Sequence, residues 1–321
     1  MKNNKTLRKL SALLLPLVLA GSTTILADSR TVLAGSTTAI AGSARIANAG
    51  AQRRRAPQRI PQASHASEAM SAEARELVER AIEVACHERR KDPQGSVPID
   101  EMQGRPSLPV RSAEAIAGSE RAQRLLPVAK ALVIESLNRL ASEYKFSSRN
   151  SRLKLQQALQ RVRLVRRIKP DMDSRDNASV LMRNPVTITF GTIFLAGLPS
   201  DEAMISVLGH ELVHIADGDH DALLSLYRAI GKRASGLTGL DIRAQKAEEL
   251  ACDLVGALAA REFVAETPDY VPLARRVSRA VAHNCVEEDE GDEDHLSPRN
   301  TIRALLSLNP TLTRELVYGR E

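Results

Sequence analysis

The chain has 321 residues and a formal net charge of +6, with 43% hydrophobic residues, 2% aromatic residues and no tryptophan. This length accommodates one domain of moderate size plus extensions. Because aromatic rings are so few, nucleic-acid binding by base stacking has little to work with, and we expect no nucleic-acid partner.

The first residues have the form of a signal peptide, which we assign to residues 1–27. Four basic residues precede a short apolar run from Leu10 to Ala20, which is too short for a comfortable membrane span. Cleavage after Ala27, or alternatively after Ala20, predicts export to the periplasm or the extracellular space; an uncleaved anchor is the alternative. Removing residues 1–27 takes away four basic and no acidic residues, so the charge falls from +6 to about +2. No later stretch is long and apolar enough for a transmembrane helix in the mature chain.

Residues 28–67 are predicted to be a disordered, low-complexity linker, and residues 68–321 to form the folded domain. The linker is rich in Ala, Arg, Pro and Gln, a composition typical of a flexible tether. Its Arg53, Arg54 and Arg55 could make peripheral contact with an anionic envelope surface. A solvated linker is the alternative interpretation.

Apolar spacing and β-branched runs predict the elements of the folded domain in chain order. Helices are expected over residues 71–90, 121–144 and 152–160, with a long loop over 92–109. Strands are expected over residues 161–169 and 186–195. Later helices are expected over residues 221–230, around Glu249 and over 270–284, with a glycine-containing loop over 231–239.

The most informative stretch is Ser200 to Gly218, SDEAMISVLGHELVHIADG. Ser200 is a good N-cap, acidic residues follow it, and apolar residues recur at helical spacing, so the pattern predicts a helix. His210 and His214 are four apart and share one face of that helix, with Glu211 beside the first. This H-E-x-x-H pattern provides two imidazoles for a metal and a carboxylate that can activate metal-bound water.

A catalytic zinc needs a third protein ligand, and two candidates exist. His220 lies where the metzincin pattern has its third histidine, but Asp217 occupies the glycine position of that pattern. The metzincin methionine turn is also missing, because the last methionine is Met204. Glu249 is the better candidate, since Glu249 and Asp253 are four apart on a predicted helix. We therefore expect Glu249 to bind the metal and Asp253 to accept the free ring N–H of a zinc histidine.

With these residues, the chain resembles the zinc metallopeptidases related to the CAAX prenyl protease, in their soluble exported branch. The resemblance covers the core from about Leu137 to Leu306. It includes Asn177-Ala178, the strand-like PVTITFGTIF beginning at Pro185, LGHELVH, and the E-x-x-x-D-x-x-G of Glu249 to Gly256.

The resemblance and the motifs together predict an α+β fold, a mostly helical zincin-like domain with a small sheet beside the H-E-x-x-H helix. One Zn²⁺ per chain is expected, with His210, His214 and Glu249 as ligands and Glu211 as general base on zinc-bound water. The strand just before this helix is expected to border the cleft, where its open edge can pair with an extended substrate. The reaction implied is hydrolysis of internal peptide bonds, with exported or misfolded polypeptides as substrates.

The late segment HLSPRNTIRALL is similar to the His-Pro…Arg element of that family, with Pro298 and Arg303 in register. Ser297 stands where the family usually has histidine, and His295 is two places early. His295 and Arg303 are therefore candidates for supporting the site. Ser297-Pro298 equally predicts the N-cap and first residue of a final helix.

Two further features leave alternatives open. Of the three cysteines, Cys86 and Cys285 are the plausible disulfide pair, and Cys252 is interpreted as a small buried residue. The acidic run over 287–294 suits either calcium binding or a solvated loop.

The alternative function, from another class, is an exported chaperone-like or binding protein with an inactive or structural zinc site. The altered His-Pro element favours it, whereas Glu211 argues against it, because a structural site does not need that carboxylate.

Overall fold

Helices dominate the part of the chain that the structure describes. A computed structural model describes residues 69–92, 94, 104–175, 177–181, 186–218, 222–267, 269–281 and 291–319. These residues all belong to one compact unit, Gln62–Glu321. The signal-peptide and linker predictions, including Arg53, Arg54 and Arg55, lie outside the described residues, as do most of the predicted loop over 92–109 and the residues His220 and Cys285.

The helices and strands follow one another with short connections. The helices before and within the sheet region are α1 (Ala72–Lys91), α2 (Ala113–Glu143), α3 (Arg149–Leu164) and α4 (Thr192–Ala196). The later helices are α5 (Asp201–Asp217), α6 (Leu224–Thr238), α7 (Gln245–Glu266), α8 (Leu273–Val281), α9 (Pro298–Leu308) and α10 (Pro310–Tyr318). The strands are β1 (Val165–Asp171), β2 (Ala178–Leu181) and β3 (Val186–Gly191). This mostly helical chain with a small sheet confirms the predicted α+β class.

The core surrounds α5. Its predicted apolar stripe, Ile205, Leu208, Leu212 and Ile215, is fully buried. The helix packs most extensively against α7, and it also contacts α2, α3 and α8. Because α5 is enclosed by helices, its polar residues are held in fixed positions by the surrounding core.

The sheet has the order β1-β3-β2. β1 pairs with β3 in parallel and β2 pairs with β3 antiparallel, so that Ile188 of β3 stands opposite both Ile168 and Val180. The prediction of an open edge on the strand before α5 is therefore wrong, because both edges of β3 carry a neighbour. The edge strand contacting α5 is β2, a short strand that the sequence pattern did not predict.

Three predicted boundaries also differ from the structure. Residues 161–164 end α3 and do not begin a strand, since buried Val162 continues the helix face that Ala158 and Leu159 bury. Helix α2 starts at Ala113, where Ser112 is its N-cap. The predicted glycine loop over 231–239 is helical up to Thr238.

Gly231 is part of α6 because a close helix contact requires it. A Cβ atom added to Gly231 would lie 2.6 Å from Cβ of Ala247 and 2.8 Å from the carbonyl oxygen of Ile242. The missing side chain lets α6 approach α7, so this glycine serves packing and does not break the helix. The helix ends at Gly239, which has a φ of +77°.

Among the described residues, no helix combines the length and the apolar character that a bilayer crossing requires. Cys86 is disulfide-bonded, and Cys252 is a buried free cysteine, as its sequence position on a predicted helix suggested.

Candidate metal centre

Both ends of α5 are fixed by specific side chains. Oγ of Ser200 accepts a hydrogen bond from the backbone N–H of Ala203 at 3.3 Å, as its prediction as N-cap requires. At the other end, one guanidinium nitrogen of Arg161 donates to the carbonyl oxygens of Ala216 and Asp217, at 2.8 and 2.6 Å. A cation at the C-terminus of a helix also complements the helix dipole. The helix that carries the motif is thus held at both termini.

The two motif histidines point their Nε2 atoms at each other. His210 Nε2 and His214 Nε2 are 3.1 Å apart, and the two rings lie edge to face with centroids 4.9 Å apart. Two ring nitrogens at this distance without an intervening proton or cation would repel each other through their lone pairs. The pair is therefore arranged around a positive charge.

Glu249 completes a triangle with the two histidines. Its Oε2 lies 3.3 Å from His210 Nε2 and 3.5 Å from His214 Nε2. Its other oxygen, Oε1, accepts a hydrogen bond from Gln245 Nε2 at 2.9 Å. The residue is only 9% exposed, so the carboxylate is directed inward from α7 toward α5.

The spacing of these three atoms fits one tetrahedral ion. Donors bound at 2.0–2.2 Å with tetrahedral angles would be about 3.4 Å apart. The observed separations of 3.1, 3.3 and 3.5 Å scatter around that value. Two imidazoles and one carboxylate are also the donor types that Zn²⁺ accepts when one position stays open.

Each histidine has its own carboxylate behind it. Asp253 Oδ1 lies 2.8 Å from His210 Nδ1, and Glu248 Oε1 lies 3.3 Å from His214 Nδ1. When Nδ1–H donates to such a carboxylate, Nε2 is left unprotonated and its lone pair is free for a metal. Asp253 and Glu248 therefore orient the two rings toward the same point.

Cys252 is a second potential donor close to this point. His210, His214 and Cys252 form a group that could hold a metal ion, with ligand atoms within 4.8 Å of one another. The Sγ atom, however, is nearest to Nδ1 of His214, at 3.8 Å, on the side of the ring that Glu248 also contacts. The Glu249 oxygen faces both Nε2 atoms at shorter and more even distances, so its donor set fits a single ion better than the set with Cys252.

The pKa values of these groups reflect their mutual contacts. Burial lowers the pKa of His210, but hydrogen bonds to the carboxylates of Asp253 and Glu249 outweigh it and hold that pKa well above its usual value. Burial raises the pKa of Glu249, but the hydrogen bonds of His210 and His214 hold it far below its usual value. Burial raises the pKa of the Cys252 thiol despite the neighbouring His214. Without an ion, protons therefore hold the histidines and Glu249 together.

Glu211 is the carboxylate of the motif that these contacts leave unused. Among the described residues it makes no hydrogen bond or ion pair, although it follows His210 directly on α5. Burial raises the pKa of Glu211 above its usual value, while the two histidines oppose that rise. A carboxylate with a raised pKa that is not engaged elsewhere can take up and return a proton near neutral pH.

His295 lies at the exposed side of the cluster. Its Nε2 is 3.7 Å from Glu249 Oε2, and its side chain is 57% exposed. Asp292 holds it from behind, because Asp292 Oδ1 accepts the backbone N–H of His295 at 2.6 Å and lies 3.1 Å from its Nδ1. The structure thus places His295 beside the predicted ligands, although it is two positions early in the sequence pattern.

Ser297 and Arg303 have structural partners. Ser297 is the N-cap of α9, where Pro298 is the first residue, so the helix-start prediction for this pair is confirmed. Arg303 binds Glu79 of α1 at 2.8 Å and Asn300 at 2.7 Å. The structure therefore does not bring Arg303 to the histidine cluster.

Glu248, Gln245, Cys252 and Asp292 are site neighbours that sequence reasoning missed. Glu248 had a sequence signal, since it precedes Glu249 in a Glu-Glu pair within one helical turn of Asp253. Asp292 had none, because its role depends on a turn closed by the bridge between Gly291 and Leu296. The acidic run is described only from Gly291 onward, and there Asp292 serves His295.

Comparisons with known proteins identify no relative. No family model matches the chain, no curated protein is similar to it, and no solved structure matches it. Any functional conclusion therefore depends on the residues of the site.

Proposed function

We propose that this protein is a zinc-dependent endopeptidase of the zincin type that cleaves exported or misfolded polypeptides. The observation that supports this most directly is the triangle of His210 Nε2, His214 Nε2 and Glu249 Oε2, with separations of 3.1–3.5 Å, next to the unengaged carboxylate of Glu211. A purely structural site would have no use for that carboxylate, whereas hydrolysis requires a base beside the reacting water.

In this proposal one Zn²⁺ per chain, held by His210, His214 and Glu249, would polarise the scissile carbonyl and make the attacking water more acidic. Glu211 accepts a proton from the water as its oxygen attacks the carbonyl carbon. Glu211 then delivers this proton to the amide nitrogen, the C–N bond breaks, and an amine and a carboxylic acid are released. Asp253 and Glu248 keep the two imidazole rings in the orientation that this arrangement needs.

His295 is proposed to act on the substrate carbonyl. With Nδ1 held by Asp292, its Nε2–H would donate a hydrogen bond to the oxygen on which negative charge develops. Its exposed position beside Glu249 suits this role, because substrate must approach from the open side of the cluster. Arg303 is not part of this mechanism, since its guanidinium is bound to Glu79.

The substrate is proposed to bind beside β2 as an extended strand. One edge of β2 pairs with β3, and among the described residues its other edge carries no strand. Backbone hydrogen bonding to such an edge reads main chain more than side chains, which suits substrates of varied sequence. Contact between β2 and α5 places this edge beside the motif helix.

The deciding experiment combines metal content and proteolysis on the same samples. Wild-type protein is expected to contain one zinc per chain and to cleave unfolded casein, with chelator abolishing cleavage and added Zn²⁺ restoring it. Glu211→Gln should retain the zinc and lose cleavage by at least about a hundredfold, the usual contribution of a general base. Glu266→Gln, a change of the same type at the C-terminal end of α7, serves as the control and should cleave normally.

Two results would overturn the proposal. Cleavage that survives Glu211→Gln would exclude this mechanism. Stoichiometric zinc without cleavage of any unfolded substrate would favour the alternative, an exported chaperone-like or binding protein with a structural or inactive metal site. The observation in favour of that alternative is Ser297, which caps a helix where related enzymes are expected to have a histidine.

A further inference from the structure

A second feature of the molecule is a surface of unpaired positive charge on α3 and β1. Residues 145–170 contain nine lysines and arginines and no aspartate or glutamate. Across the whole chain, by contrast, 45 basic residues are accompanied by 39 acidic ones. None of the nine forms an ion pair within the described part of the chain. Six are exposed, and together they define the basic surface: Arg149, Arg152, Arg163, Arg166, Arg167 and Lys169.

Helix geometry gathers the α3 members of the basic surface on one side. At 3.6 residues per turn, Arg149, Arg152 and Arg163 fall within one half of the helix circumference. The opposite side is buried, with Ala158, Leu159 and Val162 facing the core. The chain then passes directly into β1, so the exposed arginines of the strand continue the same segment. Uncompensated charges this close together create a positive potential that attracts anions.

Two exposed leucines accompany these cations. Leu153 is 51% exposed and Leu164 is 47% exposed. They are eleven residues apart, close to three helical turns, so they project from the same side of α3. Exposed apolar side chains among arginines are typical of helices that lie in the headgroup region of a membrane.

Protection of a sheet edge does not account for the charges. Basic residues often prevent an exposed edge strand from pairing with other chains. The outer edge of β1, however, is covered by side chains of α2. Oε1 of Gln123 accepts from the N–H of Ile168 at 3.0 Å. Nζ of Lys130 donates to the carbonyl oxygens of Arg163 and Val165, at 2.8 and 2.9 Å.

We propose that the basic surface binds the anionic phospholipids of a membrane peripherally, with Leu153 and Leu164 inserted among the headgroups. A nucleic acid would satisfy the charge but not the leucines, and the chain has almost no aromatic side chains for stacking on bases. Membrane contact would also concentrate the protein where exported polypeptides emerge. This inference concerns another face of the chain and does not depend on the metal centre.

The test is co-sedimentation of the full chain with vesicles. Wild-type protein is expected to bind phosphatidylcholine vesicles that contain phosphatidylglycerol, to release them as salt is raised, and to ignore pure phosphatidylcholine. The triple variant Arg152→Gln, Arg163→Gln, Arg167→Gln should bind about a hundredfold more weakly, because each basic residue at an anionic surface contributes about 1 kcal/mol. A charge-matched control, Arg111→Gln, Arg228→Gln, Arg314→Gln, removes three exposed cations elsewhere and should bind like the wild type.

A second variant separates lipid from other polyanions. Leu153→Gln with Leu164→Gln should weaken vesicle binding several-fold and leave any retention on a DNA oligonucleotide unchanged. Equal vesicle binding by the charge variant and its control would overturn the proposal. So would loss of binding on replacing Arg53, Arg54 and Arg55 alone, or DNA binding as tight as vesicle binding together with no effect of the leucine variant. Circular dichroism checks that each variant is folded.

Discussion

Gly209 and Gly256 lie against each other where α5 crosses α7. A Cβ atom added to Gly209 would be 2.9 Å from the Cα of Gly256, and one added to Gly256 would be 2.4 Å from the carbonyl oxygen of Ser206. Gly209 precedes the first motif histidine, and Gly256 follows Asp253 by three residues. The absence of both side chains therefore sets how closely the helix with the two histidines approaches the helix with Glu249.

Gly256→Ala should push these two helices apart. We expect a loss of about 1–3 kcal/mol in the free energy of unfolding, typical of overpacking, and a weaker metal site because Glu249 moves away from the histidines. Chemical denaturation and zinc titration measure the two effects. Gly239→Ala is the control, since a Cβ there meets open space and only the positive φ is unfavourable. Unchanged zinc affinity in Gly256→Ala would contradict this account of the crossing.

Variants of Glu249 and Cys252 distinguish the two possible donor sets. Glu249→Ala should bind zinc at least about tenfold more weakly, because a donor facing both Nε2 atoms is lost. Cys252→Ala should bind zinc as the wild type does, since Sγ contacts the far side of His214. Competition with a chelating dye under reducing conditions gives both affinities. The opposite ranking would assign the third ligand to Cys252, and zinc retained in both variants would direct attention to His220.

His295→Gln should reduce catalysis without removing the metal. The expected loss is about a hundredfold in kcat with zinc content unchanged, as for one donor to a developing oxyanion. Asp292→Asn should cause a smaller loss and a shifted pH profile, because it changes how His295 is held. Steady-state kinetics on a fluorogenic peptide measure both. If His295→Gln lost zinc instead, His295 would be a ligand.

The buried ion pair of Asp92 and Arg279 should make stability depend on pH. Arg279 donates to both Asp92 oxygens, at 2.5 and 3.1 Å, and the Asp92 side chain is 1% exposed. Burial raises the pKa of Asp92, but the hydrogen bonds and charge of Arg279 outweigh it and lower that pKa below its usual value. A carboxylate with a lowered folded-state pKa stabilises the fold above its unfolded pKa, near 4, and loses this contribution as the pH falls through the folded value.

Asp92→Asn should therefore destabilise the protein by about 3 kcal/mol at neutral pH, because a buried guanidinium loses its main counter-ion. The difference from the wild type should shrink in acid. Urea unfolding at neutral pH and below about pH 4 tests both statements. Asp241→Asn is the control, since its partner Arg243 is 84% exposed and surface pairs contribute little. A constant difference at all pH values would contradict the assignment.

The sequence by itself determined the features that depend on neighbours within one helix. Ser200 as an N-cap, the buried stripe of α5, and the shared face of His210 and His214 all follow from a repeat of 3.6 residues per turn. The same repeat placed Glu249 and Asp253 on one side of α7. These relationships need no knowledge of the rest of the chain, because residues four apart in a helix are neighbours wherever the helix packs.

Tertiary structure decided what those faces meet. Whether Asp253 or Glu248 supports a given histidine depends on how α7 crosses α5, and two glycines on different helices set that crossing. The central position of β3 depends on strand pairing between segments that are distant in sequence, as does the covering of β1 by Gln123 and Lys130. Interactions over such separations are chosen by packing of the whole core, and no local pattern of residues encodes them.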